Sequence, residues 1–206
     1  MTIEKATLEK LYIDDRLSMM QISKQLACSP HKVEYWMTRF NIKRRTISDA
    51  IYDLNNPDGD PFNMKEITTQ EDAILLGIGI GLYWGEGNKR NKHSVRLGNT
   101  DPGIIKTFRK FLVEICGINP DKLRYGLQVF SDINPKNALE YWMLELDEPI
   151  EKFGEVVVTP ARSIGTYRDK NQTGVLTVYF HNYKLRDIIV KLCRDSSFDY
   201  EWSVMQ

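Results

Sequence analysis

Apolar residues recur at helical spacing three times within the first 48 positions. Leu8, Leu11 and Tyr12 share one face of residues 6–16, and Ile22 and Leu26 stand four apart in MMQISKQLA. Val33, Trp36, Met37 and Phe40 line one side of PHKVEYWMTRF. That period predicts three short helices around a common core. Ser18, with Gln21 three places on, predicts a capping box at the start of the second helix. Ser29 before Pro30 opens the third, because a missing N–H costs nothing at the first helical position. Cys28 falls in the short turn between them. Residues 53–62, DLNNPDGDPF, then break the pattern with a density of Asn, Asp, Pro and Gly that disfavours helix and central strand alike. Beyond them AILLGIGIGLYWGEGN stays apolar through Leu82, Tyr83 and Trp84, which predicts a helix rather than a buried strand. Three units of strand, polar turn and helix follow: SVRLGN before TDPGIIKTFRKFLVEI, LRYGLQVF before NPKNALEYWMLEL, and GVLTVYF before NYKLRDIIVKLC. Asp101 and Pro102 mark the start of the first of those helices. The pattern as a whole predicts an α+β chain. A three-helix domain occupies residues 1–48, a linker 49–70, and a larger domain 71–206, with helices on one face of a small mixed or antiparallel sheet.

Charge sharpens this division. The chain of 206 residues is neutral, yet residues 1–48 hold nine Lys/Arg against five Asp/Glu, and residues 49–72 hold one Lys against seven acids. A basic head and an acidic connector imply segments with different tasks. Cysteine usage and hydropathy narrow the setting. Cys28, Cys116 and Cys193 are odd in number and far apart, which predicts free thiols and a reducing, cytoplasmic environment. No stretch reaches the roughly 18 to 20 apolar residues of a membrane span, and MTIEKATLEK lacks the apolar core of a secretory signal.

The third helix is the first candidate for chemistry. Its apolar side faces the core, so its other side presents His31, Lys32, Glu34, Tyr35, Thr38 and Arg39, with Ser29 at the cap. A short helix held rigidly by a partner can set such side chains against base edges in a major groove. Lys43, Arg44 and Arg45 follow at its far end, where cations meet phosphates. The segment resembles the helix-turn-helix of resolvases and bacterial regulators, including the closing pattern that stands here as Asn41-Ile42-Lys43-Arg44. The resemblance implies binding to double-stranded DNA.

The apolar helix after the boundary carries Gly77, Gly81 and Gly85 as a stripe four residues apart. Glycine inside a helix costs roughly 1 kcal/mol against alanine, and close approach of a second helix offsets that cost. A nucleotide-binding G-x-G-x-x-G fails here, since Leu82 and Trp84 occupy the positions that would need glycine. Residues Gly79 to Gly87, GIGLYWGEG, resemble the LAGLIDADG motif of homing endonucleases and their nuclease-inactive regulatory relatives, with Gly81, Leu82, Gly85 and Gly87 in agreement or near it. VRLGNTDPGIIKTFRKFL and VLTVYFHNYKLRDIIVKL resemble the family's strand-to-helix passages, and the likeness spans roughly residues 71–194. It implies a LAGLIDADG-like domain in which two motif helices pack on their small residues and each delivers its last acid to a metal at the scissile phosphates. Glu86 holds that position. Trp84 replaces the motif's first acid, and a single motif is present, so a two-acid site implies a homodimer through Gly77, Gly81 and Gly85. Residues 131–170 read as an insertion carrying an extra helix.

Lys89, Arg90, Lys92 and Arg96 follow the motif, with His93 among them, and read as further phosphate contacts. A second basic set, Arg162, Tyr167, Arg168 and Lys170, reads as an ordinary polar loop. The histidines and cysteines show no zinc-ligand spacing, and no Walker A loop or nucleophile elbow is present. The expectation is therefore a cytoplasmic, sequence-specific binder of double-stranded DNA, a regulator or nuclease-inactive relative of homing endonucleases, needing no cofactor. A Mg²⁺-dependent endonuclease with Glu86 as metal ligand and catalytic acid is one alternative. A protein-interaction module is another.

Overall fold

A computed structural model describes residues 2–161 and 172–195. The set Arg162, Tyr167, Arg168 and Lys170 lies outside the described residues. The chain is α+β and divides into two compact units, Met1–Asp60 and Pro61–Gln206. No helix among the described residues is long and apolar enough to cross a membrane.

The first unit is helical. α1 spans Lys5–Glu9 and runs on as a π-helical turn over Lys10–Asp14; α2 is Met19–Gln25, α3 Pro30–Arg39 and α4 Ile47–Asn55. Ser18 and Gln21 form the reciprocal cap expected at α2, and Ser29 Oγ accepts from Lys32 N–H at 3.3 Å to start α3. Ile3, Leu8, Leu11, Tyr12, Ile22, Val33 and Met37 close the core, with Trp36 and Phe40 packed against it. The α2–α3 turn is tight because Ala27, just past the helix end, takes a left-handed φ of 48°.

The linker expected over residues 49–70 requires correction, since α4 occupies its first third. Thr46 and Asp49 cap each other reciprocally at its start. Tyr52 is buried and its hydroxyl donates to Asp60 Oδ1 at 3.0 Å, so the helix belongs to the first unit. Asn and Asp density lowers helix propensity in the sequence, but a good cap and one buried aromatic outweigh it.

Among its described residues the second unit packs four α-helices over one sheet. Its helices are α5 (Gln70–Glu86), α6 (Pro102–Lys110, continued by a π-helical turn over Phe111–Ile115), α7 (Pro135–Leu146) and α8 (Tyr183–Asp195). The strands are β1 (Val95–Asn99), β2 (Arg124–Phe130), β3 (Val157–Thr159) and β4 (Val175–Phe180), ordered β1-β4-β2-β3. β4 pairs antiparallel with β1 and β2, and β3 lies parallel to β2, so the sheet is mixed. Strand side chains alternate between faces. Val95, Leu97, Tyr125, Leu127, Val129, Leu176, Val178 and Phe180 are all buried, and α5 to α8 each pack on the sheet or on one another. The opposite face carries Arg96, Gly98, Arg124, Gly126, Gln128, Thr177 and Tyr179, which are half-buried or exposed. α7 is the helix expected in the insertion; β3, three residues long and without alternation, was not visible in the sequence.

Candidate nucleic-acid interface

α3 sets the first group of residues. Its inward side, Val33 and Met37, is 0% and 1% exposed, which fixes the helix on its unit. Its outward side is open: Ser29, His31, Tyr35, Thr38 and Arg39 are exposed and Lys32 is half-buried. The His31 side chain is 96% accessible. Arg39 donates to the Tyr35 hydroxyl at 3.1 Å and lies over the Trp36 ring at 5.5 Å. Those two contacts hold a long, flexible side chain out along the helix face. Thr38 Oγ1 is turned back onto the Glu34 carbonyl at 3.0 Å, so its hydroxyl proton is already committed.

Glu34 is the one acid on this face, and the structure neutralises it. Arg44 pairs with its carboxylate at 2.8 Å, and His31 Nδ1 stands 3.8 Å away. The three cations after α3 therefore separate into different roles. Lys43 is exposed; Arg44 screens Glu34; Arg45 turns inward. The Arg45 guanidinium pairs with Asp53 at 2.6 Å and donates to the carbonyls of Arg16 and Leu17 at 2.9 and 2.6 Å. It also lies over the Tyr12 ring at 4.5 Å, while the Arg45 backbone N–H donates to the Tyr12 hydroxyl at 2.8 Å. Burial lowers the Arg45 pKa, and the bonds to Tyr12 and Asp53 more than reverse that, leaving it raised. The expectation that Arg45 contacts phosphate is corrected: it clasps α4 to the end of α1.

The second group follows α5. Lys89, Arg90 and Lys92 are exposed on a loop ordered by its own asparagines. Asn88 Oδ1 accepts from the backbone N–H groups of Arg90 and Asn91, both at 3.1 Å, and Asn91 Oδ1 from that of His93 at 2.8 Å. Lys89 Nζ caps α5 by donating to the Trp84 carbonyl. Gly87 bridges antiparallel to Leu97, and Asn88 N–H donates to the Arg96 carbonyl at 2.9 Å, so the loop is anchored on β1. Arg96 Nε donates to Ser94 Oγ at 2.7 Å, and its guanidinium lies over the Tyr179 ring at 5.0 Å.

Register extends this group across the open face of the sheet. Tyr179 is the partner of Arg96 on one side and of Arg124 on the other, giving an Arg-Tyr-Arg row over three strands. His181 meets the Tyr179 ring edge-on at 5.1 Å. Burial and the neighbouring Arg96 charge both lower the His181 pKa, which keeps it neutral at pH 7. Sequence reading missed Arg124 and Tyr179. Alternation places each of them off the core face, but only strand order reveals that they are neighbours.

α5 carries the remaining candidates. Gly77, Gly81 and Gly85 face open space: a β-carbon at any of them would meet nothing within 4 Å. Ile74, Ile78 and Trp84 on the same exposed side are 53%, 45% and 47% accessible. The glycine that admits a neighbour within the chain is Gly79, where a β-carbon would fall 2.2 Å from the Phe111 ring. Glu86 is exposed as the last residue of α5. Among the described residues no three His, Cys, Asp or Glu side chains gather to hold a metal. Glu86 therefore stands as one exposed carboxylate, and a Mg²⁺ held there would take its remaining oxygens from water and phosphate.

Comparison with family models, with curated proteins and with solved structures gave no match in any of the three.

Proposed function

We propose that the chain is a sequence-specific binder of double-stranded DNA, a regulator or nuclease-inactive relative of the LAGLIDADG homing endonucleases. The observation that carries this reading is the outward side of α3. Its core side is fully packed, its polar side is open, and its only acid is held by Arg44. Ser29, His31, Lys32, Tyr35 and Arg39 would meet base edges from that rigid helix. Lys43 would meet phosphate. In the second unit Lys89, Arg90, Lys92 and the Arg96-Tyr179-Arg124 row offer a further cationic surface, suited to phosphate contacts that position without reading sequence.

The stripe on α5 supports a homodimer. Three glycines with open space beside them, flanked by exposed isoleucines and a tryptophan, have among the described residues no close neighbour that would offset their cost. A second copy of α5 supplies it. Such pairing would bring two Glu86 carboxylates into one assembly, which keeps the metal-dependent endonuclease as the second reading.

The test is selection of duplexes from a random pool, with and without Mg²⁺, followed by titration of the best duplex across salt. A defined consensus is expected, with affinity falling steeply as salt rises because released counterions carry much of the binding. Cutting in Mg²⁺ that Glu86→Gln abolishes moves the assignment to the endonuclease. No affinity for any duplex at low salt moves it to a protein-interaction module.

A further inference from the structure

A cavity lies between the C-terminal part of α5 and α8, sharing only Lys89 with the cationic loop. It encloses about 310 Å³ and is lined by Tyr83, Trp84, Lys89, Arg186, Val190, Cys193 and Arg194. That size lies at the small end of ligand cavities, about 300 to 1,000 Å³. Its lining holds three cations and no carboxylate among the described residues. Its floor is the fully buried Tyr83 ring, and Trp84 leaves an aromatic surface 47% accessible.

Arg186 gives the cavity its direction. Its side chain is only 13% exposed. Nη2 donates to the Lys89 carbonyl at 2.7 Å and Nη1 to Asp187 at 2.9 Å. Nε–H is buried with no hydrogen-bond partner among the described residues. A buried donor without an acceptor is costly, and a charged one more so. Lys89 reaches the same space from the loop and retains two ammonium protons beyond the one given to Trp84. Arg186 with its orphan donor and Lys89 with its remaining protons, in an enclosure that Arg194 also borders, call for a compact anion with several acceptor oxygens. The aromatic floor and wall call for a flat ring attached to it.

We propose that this cavity binds a free phosphate monoester bearing a flat ring, in chemical class a nucleoside monophosphate. The phosphate would sit among Arg186, Lys89 and Arg194, with the ring against Trp84. Aromatic stacking and charge-assisted phosphate bonds both contribute strongly at such sites. The site shares Lys89 with the loop proposed to meet phosphate and Trp84 with the α5 stripe, but none of its side chains lies on α3 or in the Arg-Tyr-Arg row, so Arg194 and Arg39 separate the two readings.

The test is calorimetric titration of the full chain with AMP, inorganic phosphate, adenosine and a short single-stranded DNA carrying or lacking a 5′-phosphate. Saturable one-to-one binding of AMP is expected, with phosphate and adenosine each weaker by at least about tenfold. Arg194→Gln and Trp84→Ala, both changes at exposed positions, are each expected to weaken AMP by at least about fivefold. Arg194→Gln should leave duplex affinity unchanged, while Arg39→Ala should weaken duplex and leave AMP unchanged; each arm therefore fails separately. Absence of saturable AMP binding overturns the proposal and leaves the cations as caps of a helix end. So does AMP binding that both variants retain, or binding of the 5′-phosphorylated strand without AMP.

Discussion

Glu148 follows α7, is 6% exposed, and holds three partners at once. Arg109 meets it at 2.6 Å, Lys152 at 2.7 Å, and the Tyr125 hydroxyl at 3.2 Å. Burial alone would raise its pKa; the bonds from Lys152 and Arg109 outweigh that and hold it below the ordinary carboxylate value. A carboxyl depressed on folding adds stability that is complete above its unfolded pKa, roughly 4.3, and lost as pH falls through the lower folded value. Glu148→Gln, which leaves two cations without their shared anion, is expected to cost about 3 kcal/mol near neutrality. The gap to the parent should close as urea melts are repeated below about pH 4, the ordinary carboxylate range; an unchanged gap would deny the carboxylate its role. The run Lys43-Arg44-Arg45 makes a different point at the same scale. In sequence the three are equivalent cations, and only the positions of Tyr12, Glu34 and Asp53 in space tell them apart. Arg45→Ala should lower the melting temperature of the first unit. Lys43→Ala should leave it unchanged and instead reduce the slope of log affinity against log salt by about 1.

Among the elements, those whose apolar period is undiluted were legible: α2, α3, α6, α8 and the three longer strands stand where alternation or helical spacing put them. β3 and α4 were not. β3 is held by a parallel partner, a long-range fact with no local mark. α4 did leave a mark in Thr46 and Asp49, a capping box that the Asn and Pro density behind it obscured. The glycines of α5 divide along the same line. Their spacing was readable, but not which of them faces a neighbour. Gly79 lies against Phe111, so Gly79→Ala forces the ring aside and should destabilise by about 1 to 3 kcal/mol. Gly81 faces open space, so in the separated chain Gly81→Ala should stabilise by about 1 kcal/mol, the difference in helix propensity. Thermal melts at low protein concentration distinguish the two. A common loss of stability at both positions would mean that the stripe is buried within one chain.

At the scale of the whole molecule, the acidic connector that balances the basic head is largely consumed by structure. Asp49 caps α4, Asp53 pairs with Arg45, Asp60 accepts from Tyr52, and Asp72 pairs with Lys65 at 2.8 Å. The zero net charge therefore coexists with cations left outward on α3, on the loop after α5 and on the sheet. Whether those surfaces act singly or in duplicate depends on the α5 stripe, and mass in solution decides it. A dimer of the 24.0 kDa chain is expected at micromolar concentration. Gly81→Leu should return it to one chain by filling the gap that a second backbone needs. The same substitution should weaken duplex binding by far more than any single phosphate contact, because two half-sites read together gain through effective concentration. A parent that remains a single chain, free and on its duplex, would remove the paired Glu86 site and leave α3 to read DNA alone.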